Sequence, residues 1–229
     1  CQYLEESPEY LQKRLEYIGD LNKRALSYVN SFPERELREK MFFYLRQLSF
    51  TYIETDVGIS YKDFIIRLQM SFAPAIYAHS FAVGRAASVL CKIIADEESD
   101  YFDDIAFIRN IKDIEEKRRI VIDYAFECGL LHDVGKMNFI SLYSNAARQW
   151  FEDESEMAQL HTLVGKACLE KRSSTSRCAA IALGHHGWYY GSRGYPNVYE
   201  RLECEYRQMV DVIGLMDWLD NVTYNESSI

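Results

Sequence analysis

The sequence has no basic excess: 35 Asp and Glu outnumber 26 Lys and Arg, for a formal net charge of −9. A general nucleic-acid binder neutralises phosphates with a basic patch, and these Lys and Arg residues gather into none, so that class is excluded. A local pocket of positive potential stays open. Cys-x-x-Cys pairs are also missing. The six cysteines, at positions 1, 91, 128, 168, 178 and 204, fall mostly in helical apolar stretches. They are expected as reduced core thiols of a cytoplasmic protein, not as a disulfide framework or a zinc ribbon. No run approaches the ~18 apolar residues of a membrane span, and the start has neither the basic nor the apolar region of a signal peptide. The chain opens on Cys1 instead of Met, as expected of a piece excised from a longer chain. Neither an alternating strand pattern of useful length nor a repeat period is visible.

What is present is apolar content and helical periodicity. The 229 residues are 48% hydrophobic, enough for a real core in one to two domains. Leu11, Leu15, Ile18, Leu21, Ala25 and Val29 recur at spacings of three and four, and a second stripe follows Pro33 through Leu37, Met41, Tyr44 and Leu48. Residues 1–60 are therefore expected to be an N-terminal helical lead-in or partner-packing module, its stripe plain core more often than a coiled coil that would pair a homodimer or signalling partner, and 61–229 a second domain. A helix is expected from about Asp63 with a restart near Pro74, then a stripe of His79, Val83, Ala86, Leu90 and Ile93 that places His79 on a buried face. Asp96 to Asp104 reads as a solvated acidic loop. Helices follow over Ile111 to Asp133, ended by Gly135, then over Met157 to Lys171, Ser176 to His186 and Tyr199 to Asn221. The expected fold class is all-α.

Chemistry concentrates at particular positions. All five histidines, His79, His132, His161, His185 and His186, lie at helix ends or on apolar faces. Asp133 adjoins His132, and Asp217 sits on the stripe Val210, Ile213, Asp217 of the last helix. A lone histidine on such a face is most often a hydrogen-bonded core residue. Asp217 argues otherwise, because a carboxylate facing a core needs a compensating cation and no Lys or Arg shares its stripe. Imidazoles and carboxylates are ligands for intermediate divalent metals, and seven of them exceed one tetrahedral ion. They suit two adjacent six-coordinate ions with a bridging carboxylate.

His79 with Gly84, then His132-Asp133-Val134-Gly135-Lys136, His161 with Gly165, His185-His186 with Gly194-Tyr195-Pro196, and Asp217 with Asp220 occur in that order. This series resembles the HD-GYP family, a branch of the HD superfamily of metal-dependent phosphohydrolases, over residues 76 to 223. The resemblance implies an all-helical bundle with a two-metal centre that hydrolyses cyclic di-GMP through a bridging hydroxide; the two N-terminal helices expected from periodicity lie outside it. It implies His79, His132, His161, His185, His186 and Asp217 as terminal ligands and Asp133 as the bridging and catalytic one. Lys136 would meet a substrate phosphate, or else cap a helix end in solvent. Arg193 and Tyr195 of the glycine- and tyrosine-rich lip would bind substrate, with Trp188, Tyr189 and Tyr190 either stacking on a base or packing on their own domain.

Iron or manganese is the expected pair of ions; zinc and nickel accept the same ligands. The family's Glu after the paired histidines is Gly187 here, and its Asp before the following Gly is Tyr190. The first departure implies two metals instead of three. The family's arginine after the last motif is not found before Ile229. Hydrolysis of another nucleotide or phosphate ester, and a metal-binding signalling domain with little catalysis, remain the alternatives.

Overall fold

A computed structural model describes residues 61–139, 143, 151–187 and 194–226. The helices expected within residues 1–60 and the lip residues Trp188, Tyr189, Tyr190 and Arg193 lie outside that set. The chain divides into two compact units, Cys1–Pro74 and Ala75–Ile229. The division expected after residue 60 assigns Tyr61–Phe72 to the second domain, whereas the structure groups it with the first.

The fold is all-α: helices and no strands among the described residues, apart from one isolated antiparallel bridge between Gly187 and Gly194. α1 is Tyr61–Phe72 and α2 is Pro74–Glu97. Pro74, which has no N–H to leave unpaired, opens α2. Next come the single turn α3 (Ala106–Arg109), α4 (Ile114–Leu131) and a 3-10 segment, Val134–Phe139. Then follow α5 (Glu152–Gln159), α6 (His161–Leu169), α7 (Ala179–Gly184) and α8 (Arg207–Glu226). Asp113 starts α4 by accepting the N–H of Glu116 at 2.7 Å, and Glu115 and Glu116 complement the helix dipole there.

In the second unit, α6 packs on α7 and on the 3-10 segment, while α8 packs on α4 and α7. Their core is Val121, Ala125 and Leu131 of α4, Leu169 of α6, Ile181 and Ala182 of α7, and Met209 and Ile213 of α8. Burying each large aliphatic chain here is worth about 1.5–3 kcal/mol.

The buried row of α2 differs from the expected stripe. It is Ser80, Val83, Gly84, Ala87, Ser88 and Cys91, while Ile93 is 54% exposed. The row is set by size: small side chains allow α4 to come close, and Ser88 Oγ donates to the Ile122 carbonyl at 3.1 Å. His79 sits at the edge of the buried face, with 16% of its side chain exposed. By length and composition alone α2 is apolar enough to cross a membrane, which the sequence reading did not anticipate.

Three further expectations change. The acidic stretch is only partly a free loop: α2 extends through Glu97, Glu98 and Asp100 are exposed, but Phe102 is buried and three acids are paired, Asp96 and Asp103 with Arg118 and Lys117 of α4, Asp104 with Arg207 of α8. Gly135 does not end a helix; it lies inside the 3-10 segment, where a Cβ would fall 1.9 Å from the His161 carbonyl oxygen. The helix expected over Met157 to Lys171 is two, α5 and α6, broken at Leu160.

Where α4 meets α2 at Gly84, backbone lies against backbone. A Cβ on Gly129 would fall 2.3 Å from the Gly84 Cα and 2.5 Å from the Gly84 N, backbone atoms of α2 with no flexible chain to yield. Gly129→Ala is expected to destabilise the fold by about 1–3 kcal/mol, seen as a lower urea midpoint. An unchanged midpoint would contradict the packing described.

Candidate metal centre

Three helix C-termini converge on one place, and each ends in a histidine that caps it. The last carbonyls of a helix have no partner inside it. His132, at the C-cap of α4, donates Nδ1–H to the Gly129 carbonyl at 2.7 Å. His161, the first residue of α6, does the same to Ala158 of α5 at 2.7 Å. His185, at the C-cap of α7, faces the carbonyls of Ile181 and Ala182 at 3.2 and 3.1 Å. A carbonyl only accepts, so Nδ1 carries the proton in all three rings and each Nε2 is a lone pair. The negative ends of three helix dipoles thus face one cluster, which favours cations there.

Asp133 follows His132 at the turn into the 3-10 segment and is fully buried. Its two oxygens face opposite ways. Oδ1 lies 3.4 Å from His161 Nε2 and 3.6 Å from His185 Nε2; Oδ2 lies 3.4 Å from His132 Nε2 and 3.5 Å from His79 Nε2. Asp217, buried on α8, faces His79 at 2.9 Å and His132 at 3.5 Å through Oδ1, and His186 at 3.7 Å through Oδ2.

Two sets of four ligand atoms result, each within 4.8 Å of one another: Asp133, His161, His185 and His186; and His79, His132, Asp133 and Asp217. Asp133 belongs to both. Ligands about 2.1 Å from a common ion in octahedral geometry lie roughly 3 Å apart, close to these separations.

Buried polar atoms test whether a metal fits. His132 Nε2, His186 Nε2 and Asp133 Oδ1 are buried with no hydrogen-bond partner. Two lone pairs, His161 Nε2 and His185 Nε2, face each other at 3.4 Å. Facing acceptors repel unless a cation lies between them, and orphaned buried acceptors carry a desolvation penalty. The donor set therefore fits divalent ions.

At five of the seven ligands the protonation states agree with ligation. Burial pushes His161 down to about 3, and burial also lowers His185 and His186, so these imidazoles are neutral. Burial opposes charge on Asp133 and Asp217 as well. It is outweighed at Asp133 by the surrounding imidazoles and the Lys136 ammonium, and at Asp217 by the His79 hydrogen bond and the neighbouring His132 ring, so both stay well below the usual carboxylate range. At His79 burial is overcome by the Asp217 hydrogen bond and the Asp133 charge, which raise it.

All seven residues singled out in the sequence as ligands come together here. Lys136 joins them, its ammonium paired with Asp133 Oδ2 and 5.4 Å from the centre of the Tyr143 ring. The Tyr195 ring lies against His186, with centroids 4.5 Å apart. Arg193 lies outside the described residues.

Three participants carried no role in the sequence reading. Asp220 Oδ2 accepts from His79 Nδ1 at 2.6 Å, leaving Nε2 toward Asp133 and Asp217. Asn221 donates to Asp217 Oδ1 at 3.0 Å. Tyr143 Oη lies 3.4 Å from His161 Nδ1. The spacing of Asp220, one helical turn after Asp217, is a signal that could have found it; Tyr143 has none.

A cleft of about 650 Å³ reaches the cluster, lined by His185, His186 and Asp217 at one end and by Tyr195, Leu215 and Trp218 beyond. No family model, curated protein or solved structure matches the chain.

Elemental analysis of variants tests the shared-ligand arrangement. His161→Ala is expected to lose one ion and keep the other, His132→Ala to lose the opposite one, and Asp133→Ala to lose both. Full retention of both ions by Asp133→Ala would contradict a shared carboxylate.

Proposed function

We propose that this chain is a dinuclear-metal phosphodiesterase of the HD-GYP type, hydrolysing cyclic di-GMP in second-messenger signalling. The observation that carries the reading is Asp133, one buried carboxylate common to two four-ligand sets. The ordered series of motifs that resembles that family supports it. The same residues that resemble its ligands are the ones whose lone pairs converge.

Bound divalent ions, iron or manganese foremost, would supply Lewis acidity toward a phosphoester oxygen and lower the pKa of a coordinated water. The protein's own groups do the rest. His132, His161 and His185 are held in one tautomer by helix-end carbonyls, so their lone pairs are aimed before any ion arrives. Asp220 orients His79 from the opposite ring nitrogen.

Lys136, beside Asp133, offers the one ammonium paired with that carboxylate among the described residues, placed to offset negative charge that develops on phosphoryl oxygens. Asp133 and Asp217 keep their negative charge despite burial, which suits an ion that must be held tightly and a substrate that must leave. The cleft gives a phosphoester access past Tyr195.

Protein purified without oxygen and loaded with manganese or ferrous iron is expected to hydrolyse cyclic di-GMP. Lys136→Met is expected to lower kcat roughly 100-fold with both ions retained, the scale of losing one charge-stabilising donor. Turnover confined to another phosphate ester would keep the metal centre and reassign the substrate. Metal-loaded protein that turns over no phosphate ester would contradict the proposal.

A further inference from the structure

Trp218 immediately follows the buried Asp217 on α8, yet it is 60% exposed. Leu215, three residues earlier on the same helix, is 51% exposed. Residues three apart in a helix share a face, and both line the cleft that ends at His185, His186 and Asp217. An indole and an isobutyl group left in water form an apolar wall that begins one residue from a proposed metal ligand. Gly187, Gly194 and Tyr195 line the same cleft.

This geometry fits a two-part ligand: an anionic group at the His/Asp cluster, and a flat apolar group covering the wall. We infer that Trp218 is a substrate-binding residue that stacks on the aromatic base of a nucleotide whose phosphoester lies at the cluster, so that the site selects nucleotides over phosphoesters with no ring. The inference rests on the phosphohydrolase reading for where the phosphate lies. Stacking on the indole comes from its exposure and its place in the cleft.

Base-on-aromatic stacking is tolerant of base identity and is lost when the ring is truncated. The wall therefore acts on affinity, not on bond breaking. Trp218 touches no member of the ligand cluster in any hydrogen bond or ion pair, so the variant leaves the centre's donors in place.

The test uses the full chain loaded with manganese, with cyclic di-GMP as probe. Trp218→Ala is expected to raise KM about tenfold or more while kcat changes less than about twofold. Trp218→Phe is expected to recover most of that loss. The inhibition constant of inorganic phosphate, which reports on the cluster alone, is expected to stay the same in all three proteins. In parallel, cyclic di-GMP is expected to quench tryptophan emission in the wild-type chain and to quench it less in Trp218→Ala.

An unchanged KM and unchanged quenching in Trp218→Ala would overturn the inference. Quenching that depends on Trp218 in a protein with no turnover would instead retain the stacking site and remove the hydrolase reading.

Discussion

The carboxylate of Asp133 is the constraint around which the second unit is arranged. A fully buried charge is costly unless it is met by opposite charge or by hydrogen bonds, and Asp133 is met on Oδ2 by Lys136 while Oδ1 has no hydrogen-bond partner and faces the lone pairs of His161 and His185. The imidazoles around it come from α2, α4, α6 and the end of α7, so four separate helical segments have to arrive at one carboxylate. Metal ions held by the two His/Asp sets would offset the cost of burying it.

Helix ends supply the precision. Each of His132, His161 and His185 serves two purposes with one ring: Nδ1 closes a carbonyl that a helix terminus leaves open, and Nε2 is thereby aimed at Asp133. Capping and ligand orientation are the same hydrogen bond. The close approach of α2 to α4 at Gly84 and Gly129 then sets how near His79 comes to His132, whose ring centres are 5.4 Å apart. Small residues deep in the packing and polar residues at its edge are therefore parts of one device. The reading of this centre as a cyclic di-GMP phosphodiesterase adds a substrate to that device, carried by Lys136, Tyr195 and the cleft.

Much of this was legible in the sequence because it is encoded locally. The helical periods, the restart at Pro74, the adjacent pairs His132-Asp133 and His185-His186, and Asp217 without a basic partner on its stripe are all short-range signals. What escaped depends on partners far along the chain. The buried row of α2 follows small side chains selected by the approach of α4, which hydrophobicity does not report. Gly135 reads as a helix stop but exists because the backbone at His161 passes over it. The acids after α2 look solvated until Lys117, Arg118 and Arg207 are brought to them. Asp220 and Tyr143 gain meaning only once His79 and His161 have neighbours.

The central claim is that one carboxylate joins two ions, and the electronic coupling between those ions tests it most directly. Electron paramagnetic resonance of the manganese-loaded protein reads that coupling. The account predicts a multiline signal from an exchange-coupled pair, lost in Asp133→Ala. The signal of isolated ions in the wild-type protein, or no bound manganese at all, would contradict it.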